Sequence, residues 1–183
     1  MAVFNVIDHT EIGAGGAAQW EVTGIPSSYD HLLVKISARS ERAGVSKESV
    51  ILSVNGSVST SDFPFTFLRQ LSGAVNSSRG GTGYAGWAGY QNIPAGDATT
   101  GTFGVMNIWI PDYSNTANYK QLIWHTASET NSDSTSNWNI SHTAAMYTED
   151  TTAIDEIKMI CFTGSTDIAQ YSSFTVYGIT NDA

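Results

Sequence analysis

Along most of this chain apolar and polar side chains alternate with a period of two, the spacing of a strand that keeps one face in a core. Residues 31–39 set Leu32, Val34, Ile36 and Ala38 on one side and Leu33, Lys35, Ser37 and Arg39 on the other. Residues 49–54 alternate likewise and run into Asn55-Gly56, the dipeptide that best tolerates the two positive-φ positions of a tight turn. A β-hairpin is expected there. Aromatic and β-branched runs bounded by turn residues at 63–68, 102–110, 121–126, 138–147, 154–162 and 173–179 predict further strands. With residues 3–7 and 19–22 the count reaches about ten. The longest helix candidate is a turn or two over residues 43–47, which reads equally well as a loop.

Short alternating strands with no helices to carry parallel crossovers predict an all-β chain of antiparallel sheets. The expected architecture is a single domain over residues 1–183: a two-sheet β-sandwich, jelly-roll-like in strand order. Residues 1–18 form either an N-terminal arm reaching a neighbour through Val3, Phe4, Val6 and Ile7, or a first strand followed by a glycine-rich loop. Two segments break the pattern. Residues 80–90 repeat glycine, aromatic and alanine every three positions, which fits neither strand nor helix and predicts an irregular loop presenting Tyr84, Trp87 and Tyr90. Residues 128–137 carry no apolar side chain beyond the alternating run and predict a solvated loop.

Composition narrows the function classes. Ser (22) and Thr (20) exceed a fifth of the 183 residues, and only 14% are charged, so the outer faces are covered largely by neutral polar groups. Eight Lys+Arg against 17 Asp+Glu give a net charge of -9, which leaves no basic stripe for phosphates. Nucleic acid and anionic membranes are therefore not expected partners. No stretch approaches the ~20 apolar residues of a membrane-spanning helix. Residues 1–8 lack the basic start and long apolar core of a signal peptide, so the chain is expected to act in a cytoplasm or to leave by lysis.

Candidate chemistry is sparse. The one cysteine, Cys161, sits in an apolar run without basic neighbours and reads as an inert core thiol. No Gly-x-Ser-x-Gly elbow, phosphate-binding glycine motif or calcium loop is present. Of the four histidines, His125 and His142 fall on adjacent predicted strands and face each other across a sheet. A pair of structural histidines is favoured there over a shared metal or proton relay. Neither catalysis, nor a metal, nor a cofactor is expected. Tyr84, Trp87 and Tyr90 are instead candidate contacts, because tyrosine and tryptophan bury much area at low entropic cost.

Four stretches carry a resemblance. They are residues 25–40, opening Ile25-Pro26-Ser27-Ser28-Tyr29-Asp30-His31-Leu32; residues 50–56; Ile108-Trp109-Ile110-Pro111-Asp112-Tyr113; and residues 173–179, ending Val176-Tyr177-Gly178-Ile179. In this order, from about Trp20 to Ile179, the chain resembles a family of small β-sandwich structural proteins of tailed bacteriophages, many of them aquatic, including cyanophages. The resemblance implies a non-enzymatic virion protein with no catalytic residue. Its expected role is an exterior capsid decoration or cement protein, forming a homo-oligomer, expected as a trimer, and binding major capsid or tail proteins. The alternative is a tail or fibre component that recognises a receptor or host-surface glycan through exposed aromatics. Either would be assembled in bacterial cytoplasm and carried on the outside of the particle.

Overall fold

The computed structural model describes residues 2–57, 62–71, 73–80, 93–131, 138–163 and 166–181. Over these residues the chain is all β, with thirteen strands and no helix. The strands are β1 (Ala2–Glu11), β2 (Gln19–Thr23), β3 (His31–Ala38), β4 (Lys47–Glu48), β5 (Val50–Val54), β6 (Phe65–Leu71), β7 (Ala74–Gly80), β8 (Ile93–Pro94), β9 (Gly104–Pro111), β10 (Lys120–Glu129), β11 (Trp138–Tyr147), β12 (Glu156–Cys161) and β13 (Ser173–Asn181). Eight form one sheet in the order β1-β13-β3-β9-β10-β11-β6-β7, three form a second in the order β2-β12-β5, and β4 pairs with β8. Every ladder is antiparallel.

The alternation in the sequence becomes a division of labour between faces. Leu32, Val34, Ile36 and Ala38 of β3 join Met106, Ile108 and Ile110 of β9, Leu122 and Trp124 of β10, and Phe174 and Val176 of β13 on the inner face of the large sheet. Trp20 and Val22 of β2, Val50, Leu52 and Val54 of β5, and Ile157, Met159 and Cys161 of β12 complete the same core from the small sheet. Trp20 stacks on Phe174 with ring centroids 4.7 Å apart and planes 9° from parallel, which ties the two sheets together.

Cys161 is 1% exposed, and burial pushes its thiol up to about 11, the carboxylates of Glu48 and Asp167 adding to the shift while a hydrogen bond from Ser40 opposes it. The thiol is inert at neutral pH, because the thiolate is the reactive form. The native protein is therefore expected to resist a disulfide reagent that labels the unfolded chain at once. The raised value also links stability to pH. Below the unfolded value near 9.0 the contribution is complete, and it is lost as pH rises through about 11. Denaturant midpoints measured from pH 8 to 11 should fall more for the native chain than for Cys161→Ala; parallel profiles would show that the thiol is not desolvated.

Several local expectations are revised. Asn55 (φ 49°) and Gly56 (φ 74°) do make a tight turn, with the Ser57 N–H donating to the Val54 carbonyl at 2.9 Å. The turn closes only an isolated bridge, however, and β5 pairs with β12 while β6 joins the other sheet. The Asn55 side chain anchors that crossing: its amide donates to Ala153 O, and its oxygen accepts from the Asp155 N–H, both at 3.0 Å. Of the two readings of residues 43–47 the loop holds: residues 43–46 turn, and Lys47 opens β4. Gly44 has φ 78°, and Arg42 O, Val45 O and Ser46 O accept from the N–H groups of Gly96, Asp97 and Ala95 across the loop. The polar run from residue 128 is not wholly solvated: β10 continues to Glu129, and Ser128 and Thr130 are buried. Residues 132–137 of that run lie outside the described residues.

Candidate functional site

Buried side chains of the small sheet share one core with one face of the eight-stranded sheet. The other face carries no second layer among the described residues, and apart from Ile179, which is buried beside Phe4 and His31, its strand positions are exposed or half-buried. Direct register partners share a face, so the rows across it can be read from the pairing. One row runs Ser37, Val105, Ala127, Ile140, Gln70, Val75 from β3 to β7. The next runs His9, Thr175, Lys35, Asn107, His125, His142, Leu68, Ser77 from β1 to β7. The third runs Val6, Tyr177, Leu33, Trp109, Ile123, Ala144, Thr66, Arg79.

Two features set this face apart. First, large aliphatic side chains stand in water: Leu68 is 54% exposed, Val75 69%, Val105 48% and Ile140 57%. They border a shallow depression of about 420 Å3 on β9, β10, β11, β6 and β7. Clustered aliphatics of this kind mark a contact surface, whereas single exposed ones do not. Second, the face is poor in acid. In a chain of net charge -9, the described strand positions on it include only Glu11 and Glu129 as carboxylates, at strand ends.

All four histidines lie on this face. His9 Nδ1 is 2.9 Å from Thr175 Oγ1. His31 Nδ1 accepts from the Asp112 N–H at 3.1 Å, and its ring lies 5.0 Å from that of Trp109. His125 and His142 are direct register partners, as the spacing of their strands predicts. Their rings meet edge to face with centroids 4.2 Å apart, and their Nδ1 atoms are 3.0 Å apart, a hydrogen bond in which either ring can be the donor according to its tautomer. Asn107 flanks His125, and Leu68 flanks His142, on the neighbouring strands. Among the described residues no three His, Cys, Asp or Glu side chains gather as a metal cluster.

The other sequence candidates fall elsewhere. Tyr84, Trp87 and Tyr90 lie outside the described residues. Val3, Phe4 and Val6 are exposed on β1, which pairs along its length with β13 at the edge of the large sheet. Ile7 sits at the register shift between Val6 and Asp8 and packs partly against the core. Sequence reasoning did not single out the exposed aliphatics Leu68, Val75, Val105 and Ile140. For Val105 the available signal was that β9 carries apolar residues at both parities, which a strand with one solvated face does not need. Compared with known proteins, the chain matches no protein-family model, no curated protein and no solved structure.

Proposed function

We propose that this chain is a non-enzymatic bacteriophage virion protein, an exterior capsid decoration or cement protein, and that the open face of its large sheet is where sister subunits meet. The observation that carries the docking role is the aliphatic, acid-poor patch of Leu68, Val75, Val105 and Ile140. Two copies can bring this face together without the like-charge repulsion that the rest of a -9 surface imposes. The virion setting rests on the family resemblance of the four sequence stretches. Repeated binding at equivalent sites on a shell lets modest contacts add through avidity.

In fold, the proposal is a β-sandwich of jelly-roll type. The nested pairing of β1 with β13 and β2 with β12 supports it, since a rolled ribbon brings the first and last strands together.

Ile140→Asp places a charge in the centre of the patch without touching the core. Folding stability is expected to stay within about 0.5 kcal/mol, while self-association weakens by at least about tenfold, a change of 1.4 kcal/mol or more. Sedimentation across a concentration series reads both species. A wild-type chain that stays monomeric, or an Ile140→Asp chain that associates as well as wild type, would remove the docking role. Gold-labelled antibody on particles released by lysis tests the setting: label on heads supports decoration, label on tails shifts the protein to the fibre, and unlabelled particles overturn the virion reading.

A further inference from the structure

Independently of the virion reading, we propose that His125 and His142 form a two-histidine site for a late first-row divalent metal ion, with Cu2+ and Ni2+ the preferred occupants. The argument is geometric. Two imidazole nitrogens bound to one ion at about 2.05 Å and separated by the observed 3.0 Å subtend about 94° at the metal. That angle lies between the octahedral or square-planar value and the tetrahedral one, so adjacent coordination positions are already spaced correctly. Antiparallel pairing of β10 with β11 holds both backbones at this separation, so the ion need not order a loop to bind.

In the metal-free pair one Nδ1 carries the shared proton and the other offers its lone pair. When a metal binds, the donor ring moves its proton from Nδ1 to Nε2, and small side-chain rotations turn both Nδ1 lone pairs to a common point. Imidazole is a ligand of copper, nickel and zinc alike, and the general order of affinity favours copper. The surroundings suit the exchange. Leu68, Val75, Val105 and Ile140 line the depression together with both rings and Asn107, which sits beside His125. No carboxylate on a neighbouring strand position pairs with either ring. Two protein nitrogens leave the remaining coordination positions to water or to a ligand from another molecule.

The test uses the full chain without an affinity tag, passed over Ni2+ held on iminodiacetate resin at neutral pH. The wild-type chain should be retained and released by imidazole. His125→Ala and His142→Ala should each lose retention, whereas His9→Ala and His31→Ala, which remove the other histidines of the same face, should keep it. Circular dichroism confirms that each variant is folded, and His142→Gln, which keeps a polar side chain, should behave as His142→Ala. Cu2+ added in solution gives a second readout: a paramagnetic resonance spectrum split by two nitrogens in the wild type and by fewer in either single variant. A wild-type chain that flows through, retention that survives His142→Ala, or retention lost with His9→Ala would each overturn the site.

Discussion

Trp20→Ala is expected to lower the unfolding free energy by about 3–5 kcal/mol, the range for a large aromatic removed from a packed core. Trp20 is 2% exposed on β2, and its stack on Phe174 of β13 joins the small sheet to the large one. The substitution therefore removes buried area, leaves a cavity and deletes an aromatic contact worth about 0.5–1.5 kcal/mol beyond its area. Phe174→Ala should cost a similar amount. The double variant should lose less than the sum, because both single changes delete the same contact. Urea unfolding with an unchanged dependence on denaturant is the measurement. A loss below about 1 kcal/mol would place the tie between the sheets elsewhere.

Arg39→Ala is expected to cost about 2–4 kcal/mol, through the loop that follows β8 rather than through the core. Its Nη1 donates to Thr99 O at 2.9 Å, Thr102 O at 3.2 Å and Thr102 Oγ1 at 3.1 Å. Its Nη2 donates to Gly96 O at 3.2 Å and Ala98 O at 2.9 Å. One guanidinium thus gathers the carbonyls of four residues, and its half-buried position keeps the total well below five times a charge-assisted bond. Arg39→Lys should recover little, since a compact ammonium cannot reach in two directions from a planar fork. Amide exchange at residues 96–102 should accelerate in both variants while β3 and β9 stay protected. Uniform acceleration across β3 would assign the loss to the sheet instead.

Much of the fold was legible as periodicity. Residues 138–147 were expected as a strand and are β11 with the same bounds, and the other nine expected strands each overlap an observed one. Three were not legible. Ala74–Gly80 carries a single large aliphatic, Val75, and becomes β7 only because β6 offers it a ladder. β4 and β8 are two residues each and exist only through their mutual pairing. Buried charge was equally hidden. Lys120 is 1% exposed, its Nζ donating to Asn118 O at 2.7 Å and Thr151 O at 2.9 Å, and Glu48 is 1% exposed with the Arg42 guanidinium at 2.9 Å. Composition places such residues on the surface; the carbonyl and guanidinium partners that make burial tolerable come from turns and a loop whose course the alternation does not specify.

The candidate site divides in the same way. That His125 and His142 could share a face was legible from two alternating strands on either side of one polar connection, whereas their position as direct partners is set by the register of the β10–β11 ladder. Which face of the large sheet would be left open did not follow.

By itself, then, the sequence determined the class and the interior of this protein. Period-two alternation specifies strands, the absence of crossover helices specifies antiparallel pairing, and in strands such as β2, β3 and β12 the apolar parity specifies what is buried, all of them properties of neighbours along the chain. The tertiary structure alone decided that eight strands share one sheet and three another, with the buried side chains of both in one core. That imbalance leaves Leu68, Val75, Val105 and Ile140 in water and gathers all four histidines on one surface. The physical reason is that a face is opened or closed by what packs on it, and long-range pairing assigns each strand to its sheet.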